Sequence, residues 1–226
     1  MKTIFIIGNG PSMKKEYLYE LIKMNVDTLG MNVAYRFFNK LDWLPTYYTC
    51  LDGKVCDSHK GEFIKMMEED NEIKEFIFYK ENFPNYKNDR LLLKDSPPNF
   101  KNQRYVFVTT GSCAVRYAIE KGYKRIVLLG VDANYKEKVA ERELMPNTRA
   151  TFKLKEDPKD NPNYWFDGYQ QKGDVYNIPN SPWHKNSWRE LSQQIKEYDV
   201  EIIQTNKDFV FLNTKYVDFY DVIKNI

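Results

Sequence analysis

At 226 residues the chain is long enough to bury one sizeable α/β core, and a second full domain would be a squeeze. Lysine and arginine number 34 against 32 aspartates and glutamates, so a grip on nucleic acid through bulk charge is not expected. Cys50, Cys56 and Cys113 lack metal-ligand spacing and would leave one thiol over from any disulfide, which points to a reducing cytoplasm. Met1 and Lys2 run straight into a strand, so no targeting signal is expected. No apolar run approaches the roughly 20 residues needed to cross a bilayer, so a soluble protein, at most peripheral to a membrane, is expected.

The first strand is Thr3 to Ile7, a continuous apolar run of the kind buried on both faces of a sheet. It breaks into Gly8-Asn9-Gly10-Pro11-Ser12, where the glycines let the backbone turn sharply and approach a ligand. Ser12 is placed to cap a helix carrying Tyr17, Leu18, Leu21 and Ile22 on one side. A strand end beside a helix N-terminus is where open α/β sheets hold nucleotide phosphates or ribose. The dinucleotide fingerprint is not met, because Met13 stands where a third glycine is wanted and Asp27 precedes the second strand. No Gly-Lys-Ser/Thr follows, so this is not a nucleotidase phosphate loop either.

The second strand covers Val26 to Gly30 and leads to Asn32; the third covers Thr46 to Cys50 and leads to Asp52. Three successive strands therefore end in Asn9, Asn32 and Asp52, polar residues that can line one crevice, though Asn and Asp are also ordinary turn residues. His59, within Asp57-Ser-His-Lys, reads as solvated. A helix over Gly61 to Asp70, a strand over Glu75 to Tyr79 and a loop from Phe83 to Asn102 follow. Tyr105 to Val108 reads as a strand. The turn Thr109-Thr110-Gly111-Ser112, a helix over Cys113 to Lys121 and a strand over Arg125 to Leu129 then complete a βαβ crossover ending in Gly130-Val131-Asp132. Thr110, Ser112 and the free N–H groups of that helix form a second candidate anion site, with simple capping as the alternative.

Periodicity fails from Tyr135 to Pro182, and a lid over about 136–182 is expected, with Tyr164, Trp165 and Tyr169 as ligand contacts or packing anchors. His184 then opens a helix running to about Tyr198, at a loop-to-helix junction suited to proton transfer near neutral pH. Glu201 to Gln204 reads as the last strand, and Tyr216 to Ile226 as a short helical tail.

These pieces occur in a telling order: Ile-Ile-Gly-Asn-Gly-Pro-Ser at the start, Asn32, Thr-Gly before a helix, Gly122-Tyr-Lys-Arg-Ile126, Gly130-Val-Asp132 and His184-Lys-Asn-Ser187. That order, spanning residues 4 to about 200, resembles the small bacterial sialyltransferases that build lipooligosaccharide and the related flagellin-modifying and DUF115-type proteins. The resemblance implies a single Rossmann-like domain over 1–226, with a mostly parallel sheet, helices on its faces and a long lid. It also implies a metal-independent, inverting transferase without a cofactor, acting in polysaccharide biosynthesis. The donor would be a CMP-activated sugar acid such as sialic acid or Kdo, and the acceptor a glycan hydroxyl. By the same resemblance Asn9 and Gly10 would lie against the phosphate and ribose of the nucleotide, Asn32 would contact the donor, and Thr110 with Gly111 would approach the sugar or phosphate. Gly8, Ser12, Asp52 and Ser112, read from the strand ends and helix starts themselves, complete the candidate nucleotide and substrate site. Asp132, Tyr164 and Tyr169 join them, Tyr135 is a further candidate lid tyrosine, and His184 would be the general base. Asp52 stands where those enzymes have asparagine, and Phe107 where some have arginine. The reading leaves open a homo-oligomer, a magnesium-dependent pterin-type pyrophosphokinase using Asp52 and Asp132, and a non-catalytic nucleotide- or sugar-binding module.

Overall fold

The computed structural model describes residues 1–94, 107–135, 140–210 and 214–226. Its first half runs β1 (Thr3–Ile7), α1 (Lys15–Met24), β2 (Thr28–Met31), α2 (Tyr35–Phe38), β3 (Tyr47–Thr49), α3 (Gly53–Ser58), α4 (Lys60–Glu68), β4 (Glu75–Tyr79) and β5 (Leu91–Lys94). The second half runs α5 (Thr110–Glu120), β6 (Arg125–Leu129), β7 (Arg142–Leu144), β8 (Thr151–Leu154), β9 (Val175–Asn177), α6 (Ser181–Gln194), β10 (Glu201–Gln204), β11 (Lys215–Tyr216) and α7 (Phe219–Ile223). Eight strands form one sheet in the order β11-β10-β6-β1-β2-β3-β4-β5, with every neighbouring pair parallel. The fold is α/β, with helices on both faces of the sheet.

The alternation of β1 explains the two layers. Phe5 and Ile7 join a core with Leu18 and Leu21 of α1, Phe63 of α4 and Phe219 of α7. Ile4 and Ile6 point the other way, into a core with Val115 and Ala118 of α5 and Trp188 and Leu191 of α6. Strands buried on both sides need no polar face, which is why β1 and β6 are uninterrupted apolar runs. β1 lies between β2 and β6, so the chain winds outwards on either side of it. Ligands of open parallel sheets bind at the carboxyl ends beside such a switch in strand order.

Several expectations are corrected. α1 begins at Lys15 with Lys14 at its N-cap, so Ser12 caps nothing; its N–H and hydroxyl instead donate to Asp132 Oδ2 at 3.2 and 2.9 Å. Of the strand expected over 105–108, the first two residues lie outside the described residues, and Phe107 and Val108 belong to no strand. The described strand before α5 is β5 at the sheet edge, so the crossover carries the chain from that edge back to β6 beside β1. β5 lies where loop was expected, α3 lies where no element was expected, and β11 follows the strand read as last. The described residues of the expected lid, 140–182, carry structure of their own: β7, β8 and β9 make a three-stranded antiparallel sheet. These strands are three or four residues long, too short for alternation to stand out from the polar sequence around them.

Candidate active site

A cleft of about 350 Å³ opens at the carboxyl ends of β1, β2, β3 and β6. Twelve of the candidate site residues read from sequence line it: Gly8, Asn9, Gly10, Asn32, Asp52, Thr110, Gly111, Asp132, Tyr135, Tyr164, Tyr169 and His184. Ser12 and Ser112 do not.

The first turn is welded to its neighbour. Gly8 N donates to Leu129 O at 2.7 Å and Gly10 N to Gly130 O at 2.8 Å. A Cβ on Gly8 would collide with Gly130 O, and one on Gly10 with the Asp132 carboxylate. The space where side chains would stand at these glycines is therefore taken by the end of β6, while their backbone lines the cleft. Asn9 is what the turn offers to the cleft. Its Nδ2 donates to Met31 O at 3.1 Å, fixing the amide, while its buried Oδ1 has no partner. Asn32 holds a left-handed backbone (φ 55°), and its buried Oδ1 is likewise unpartnered. Asp52 caps α3, accepting from Lys54 N at 3.0 Å and Val55 N at 3.2 Å through Oδ1. Burial raises the pKa of Asp52 and of Asp132 above the usual carboxylate value.

Thr109, not Thr110, caps α5, in a reciprocal pair with Ser112. Ser112 is fully buried and hydrogen-bonds Ser187 Oγ at 2.7 Å and Arg116 Nη1 at 3.2 Å, so its hydroxyl is spent inside the fold. Thr110 Oγ1 accepts from Leu51 N at 3.3 Å. What remains for an anion at this end are the backbone N–H groups of the first turn of α5, at Thr110 and Gly111.

His184 sits in the first turn of α6, where Asn180 caps the helix and accepts from Trp183 N at 2.9 Å. Its ring lies 4.8 Å from that of Tyr135, centroid to centroid. Burial lowers its pKa to about 4, so the imidazole is neutral at pH 7 and has a free acceptor nitrogen. Burial also pushes Tyr135 up to about 12 and raises Tyr164 and Tyr169 further. These phenols stay protonated and can act as hydrogen-bond donors.

The covering segment is fastened to the core. Tyr164 stacks on Tyr169 at 3.7 Å, Trp165 packs against Phe37 at 4.4 Å, and Trp165 N donates to Asn9 O at 3.3 Å. Arg36 grips Asp174 with two bonds of 2.6 and 2.9 Å and also donates to Tyr169 O at 2.8 Å. His59 completes this clasp. It is buried, not solvated as expected: Nδ1 pairs with Tyr35 Oη at 3.0 Å, and Nε2 lies 3.7 Å from Asp174. Burial lowers His59 to about 4 as well. Asp174 was not singled out from sequence, and its only local signal was a lone acid following Gly173. Its partners come from α2 and the α3–α4 junction, which no local pattern could reveal.

Three solved structures resemble the chain. The α-2,3-sialyltransferase Cst-I from Campylobacter jejuni superposes with a TM-score of 0.54 at 18% identity, covering 95% of this chain and 79% of that one. CstII from Campylobacter jejuni, solved with the substrate analogue CMP-3FNeuAc, gives 0.51 at 16%, covering 96% and 86%. The MAf glycosyltransferase from Magnetospirillum magneticum AMB-1 gives 0.51 at 14%, covering 97% of this chain and 34% of that one. The fold is one that glycosyltransferases use. The chain spans about a third of the MAf protein's length. No protein-family model and no curated protein matches the sequence.

On this glycosyltransferase-like fold the cleft has two chemically distinct sides. The strand ends present oxygens that accept hydrogen bonds, from Asn9, Asn32 and Asp52. The α5 end presents N–H groups, and His184 and the tyrosines contribute a neutral imidazole and protonated phenols. Among the described residues no helix is long and apolar enough to cross a membrane, and no group of three or more His, Cys, Asp and Glu side chains could hold a metal ion.

Proposed function

We propose that the chain is a glycosyltransferase moving a sugar from a CMP-activated donor to a glycan hydroxyl, with His184 as the general base. The observation that carries this reading is the gathering of His184, the strand-end residues and Tyr164 and Tyr169 in one cleft. The acceptor oxygen attacks the anomeric carbon while its proton passes to the neutral imidazole. The bond from that carbon to the phosphate oxygen breaks, and the phosphate of CMP leaves with the electron pair. One displacement of this kind inverts the anomeric centre and needs a single base. The α5 N–H groups and protonated phenols supply donors for charge developing on the phosphate. A donor phosphate nearby also raises the basicity of His184 when it matters, because an anion favours the protonated ring. The sugar class that the family resemblance implies is a sugar acid such as sialic acid or Kdo.

A pterin-type pyrophosphokinase would need Asp52 and Asp132 for magnesium, and both line the cleft. Asp132, however, already accepts from Ser12 through Oδ2 and from Asn206 through Oδ1 at 3.0 Å, and Asp52 caps α3. Asp132 thus has both oxygens engaged and Asp52 keeps only Oδ2 open, one carboxylate short of the pair that magnesium would need.

The test is thermal stabilisation by CMP, UDP, GDP and ATP, with magnesium or with EDTA. A hundredfold excess of CMP over its dissociation constant should stabilise the fold by about 2.7 kcal/mol, and should do so in EDTA. Asn9→Ala should weaken binding of the CMP-sugar donor about tenfold, the scale of a lost hydrogen bond in a buried site. Stabilisation by ATP only with magnesium would overturn the transferase in favour of the kinase, and CMP binding without turnover of any CMP-sugar would leave a binding module.

A further inference from the structure

The floor of the cleft asks for something more specific than a sugar. β1, β2 and β3 are adjacent parallel strands, with Ile7 paired to Gly30 and Met31 paired to Thr49. Asn9 and Asn32 stand two residues beyond the paired Ile7 and Gly30, so they share one level, and Asp52 stands one strand further on, two residues past the level of Asn32. At the usual spacing of about 4.8 Å between strands, the three span roughly 10 Å, enough for one sugar ring and its substituents.

All three present acceptors. Asn9 is nine-tenths buried, its amide is fixed by the bond to Met31 O, and its Oδ1 is unpartnered. Asn32 Oδ1 is buried and unpartnered too. Asp52 Oδ1 takes two α3 amides, and the described residues give Oδ2 no hydrogen bond. Buried acceptors without donors are costly, and a buried carboxylate is costly unless a cation or strong donors meet it. Among the described residues the cleft lining contains no lysine or arginine. A phosphate or carboxylate laid across this floor would set acceptor against acceptor, whereas N–H and O–H groups would satisfy every oxygen.

We infer that the ends of β1, β2 and β3 form a subsite for the hydrogen-bond-donating face of the transferred sugar, and that Asp52 selects a sugar bearing an amine. The inference rests on the CMP-sugar reading above and narrows it. The phosphate, and the carboxylate of a sugar acid, then lie towards the N–H groups of α5, and the amine lies towards Asp52. Asp52 is thus a specificity-determining residue, and the donor is an amino-substituted sugar acid.

The test uses three CMP-linked sugar acids that differ at one carbon, bearing an amine, an acetamide or a hydroxyl there, with CMP alone as the control. Their dissociation constants are measured at pH 7 on the wild-type chain and on Asp52→Asn. Asparagine caps helices as well as aspartate does, so the variant keeps α3, and an unchanged melting temperature checks this. The amine form should bind the wild type about tenfold more tightly than the hydroxyl form, the scale of one charge-assisted hydrogen bond. Asp52→Asn should erase that preference while leaving CMP affinity within about twofold. CMP binding with no preference for the amine, or a preference that survives Asp52→Asn, overturns the inference and leaves the transferase reading standing. No binding of CMP by the wild type overturns both.

Discussion

His59 and His184 line the same cleft, and burial lowers both to about 4. Their surroundings part them. His59 has Tyr35 on one ring nitrogen and Asp174 near the other, with Arg36 locking that carboxylate from behind. The ring of His184 meets Tyr135 edge-on to tilted, at 56°, and has no side-chain hydrogen bond among the described residues. A depressed pKa therefore reports burial in both and a role in neither. Nitrogens without partners among the described residues leave one ring available to a proton, and occupied nitrogens make the other a fastening.

The largest effect that can test this contrast is on turnover. His184→Ala should lower transfer by about 10²–10⁴-fold, the usual worth of a general base, while CMP titration gives the parent's affinity. Loss of CMP binding would instead make His184 a nucleotide contact. The clasp should answer in stability: Asp174→Ala strips the carboxylate from a partly buried Arg36 and should cost about 2–3 kcal/mol in urea unfolding. A cost below 1 kcal/mol would mean the covering segment is held by its aromatic anchors alone.

Acid sharpens the comparison. Both histidines have folded pKa values below their ordinary 6.5, so the unfolded chain takes up the protons first. Their stability contribution is complete above pH 6.5 and is lost as pH falls towards 4. Each should account for about 2 kcal/mol lost between pH 7 and pH 5. His184→Gln should remove its share of that slope and leave the share of His59, as unfolding at the two pH values would measure. The smallest effect expected is a null one. With His184 neutral down to about pH 4, kcat/KM should stay within about twofold from pH 7 to pH 5. A fall centred near pH 6.5 would show a ring in contact with water.

The same contrast marks what the chain reveals in one dimension. β1, β4, β6 and β10 follow from unbroken apolar runs, and the polar residues that end β1, β2, β3 and β6 point directly to the cleft. His184 stands out because it follows an aperiodic stretch and opens a helix. His59 misleads because Asp57, Ser58 and Lys60 surround it with polarity, while its burial is imposed by Tyr35 and Asp174 from elsewhere in the chain. Ser12 and Ser112 look like anion contacts by type and position, yet Asp132 and Ser187 claim their hydroxyls. Polarity beside a helix start does not tell whether a hydroxyl faces a ligand or the protein.

The weld between Gly8 and Gly130 bears on how this protein can diverge. Gly130 holds φ 62°, and a Cβ there would come within 2.8 Å of Gly8 O, while one on Gly8 would strike Gly130 O. Neither position can acquire a side chain while its counterpart stays where it is. Substitution at either one alone would push apart the two strands that frame the switch in strand order, so drift at these sites has to be paired or absent. Asn9, held between them with its acceptor oxygen fixed, inherits that restraint: its identity can vary with the ligand, but its position cannot.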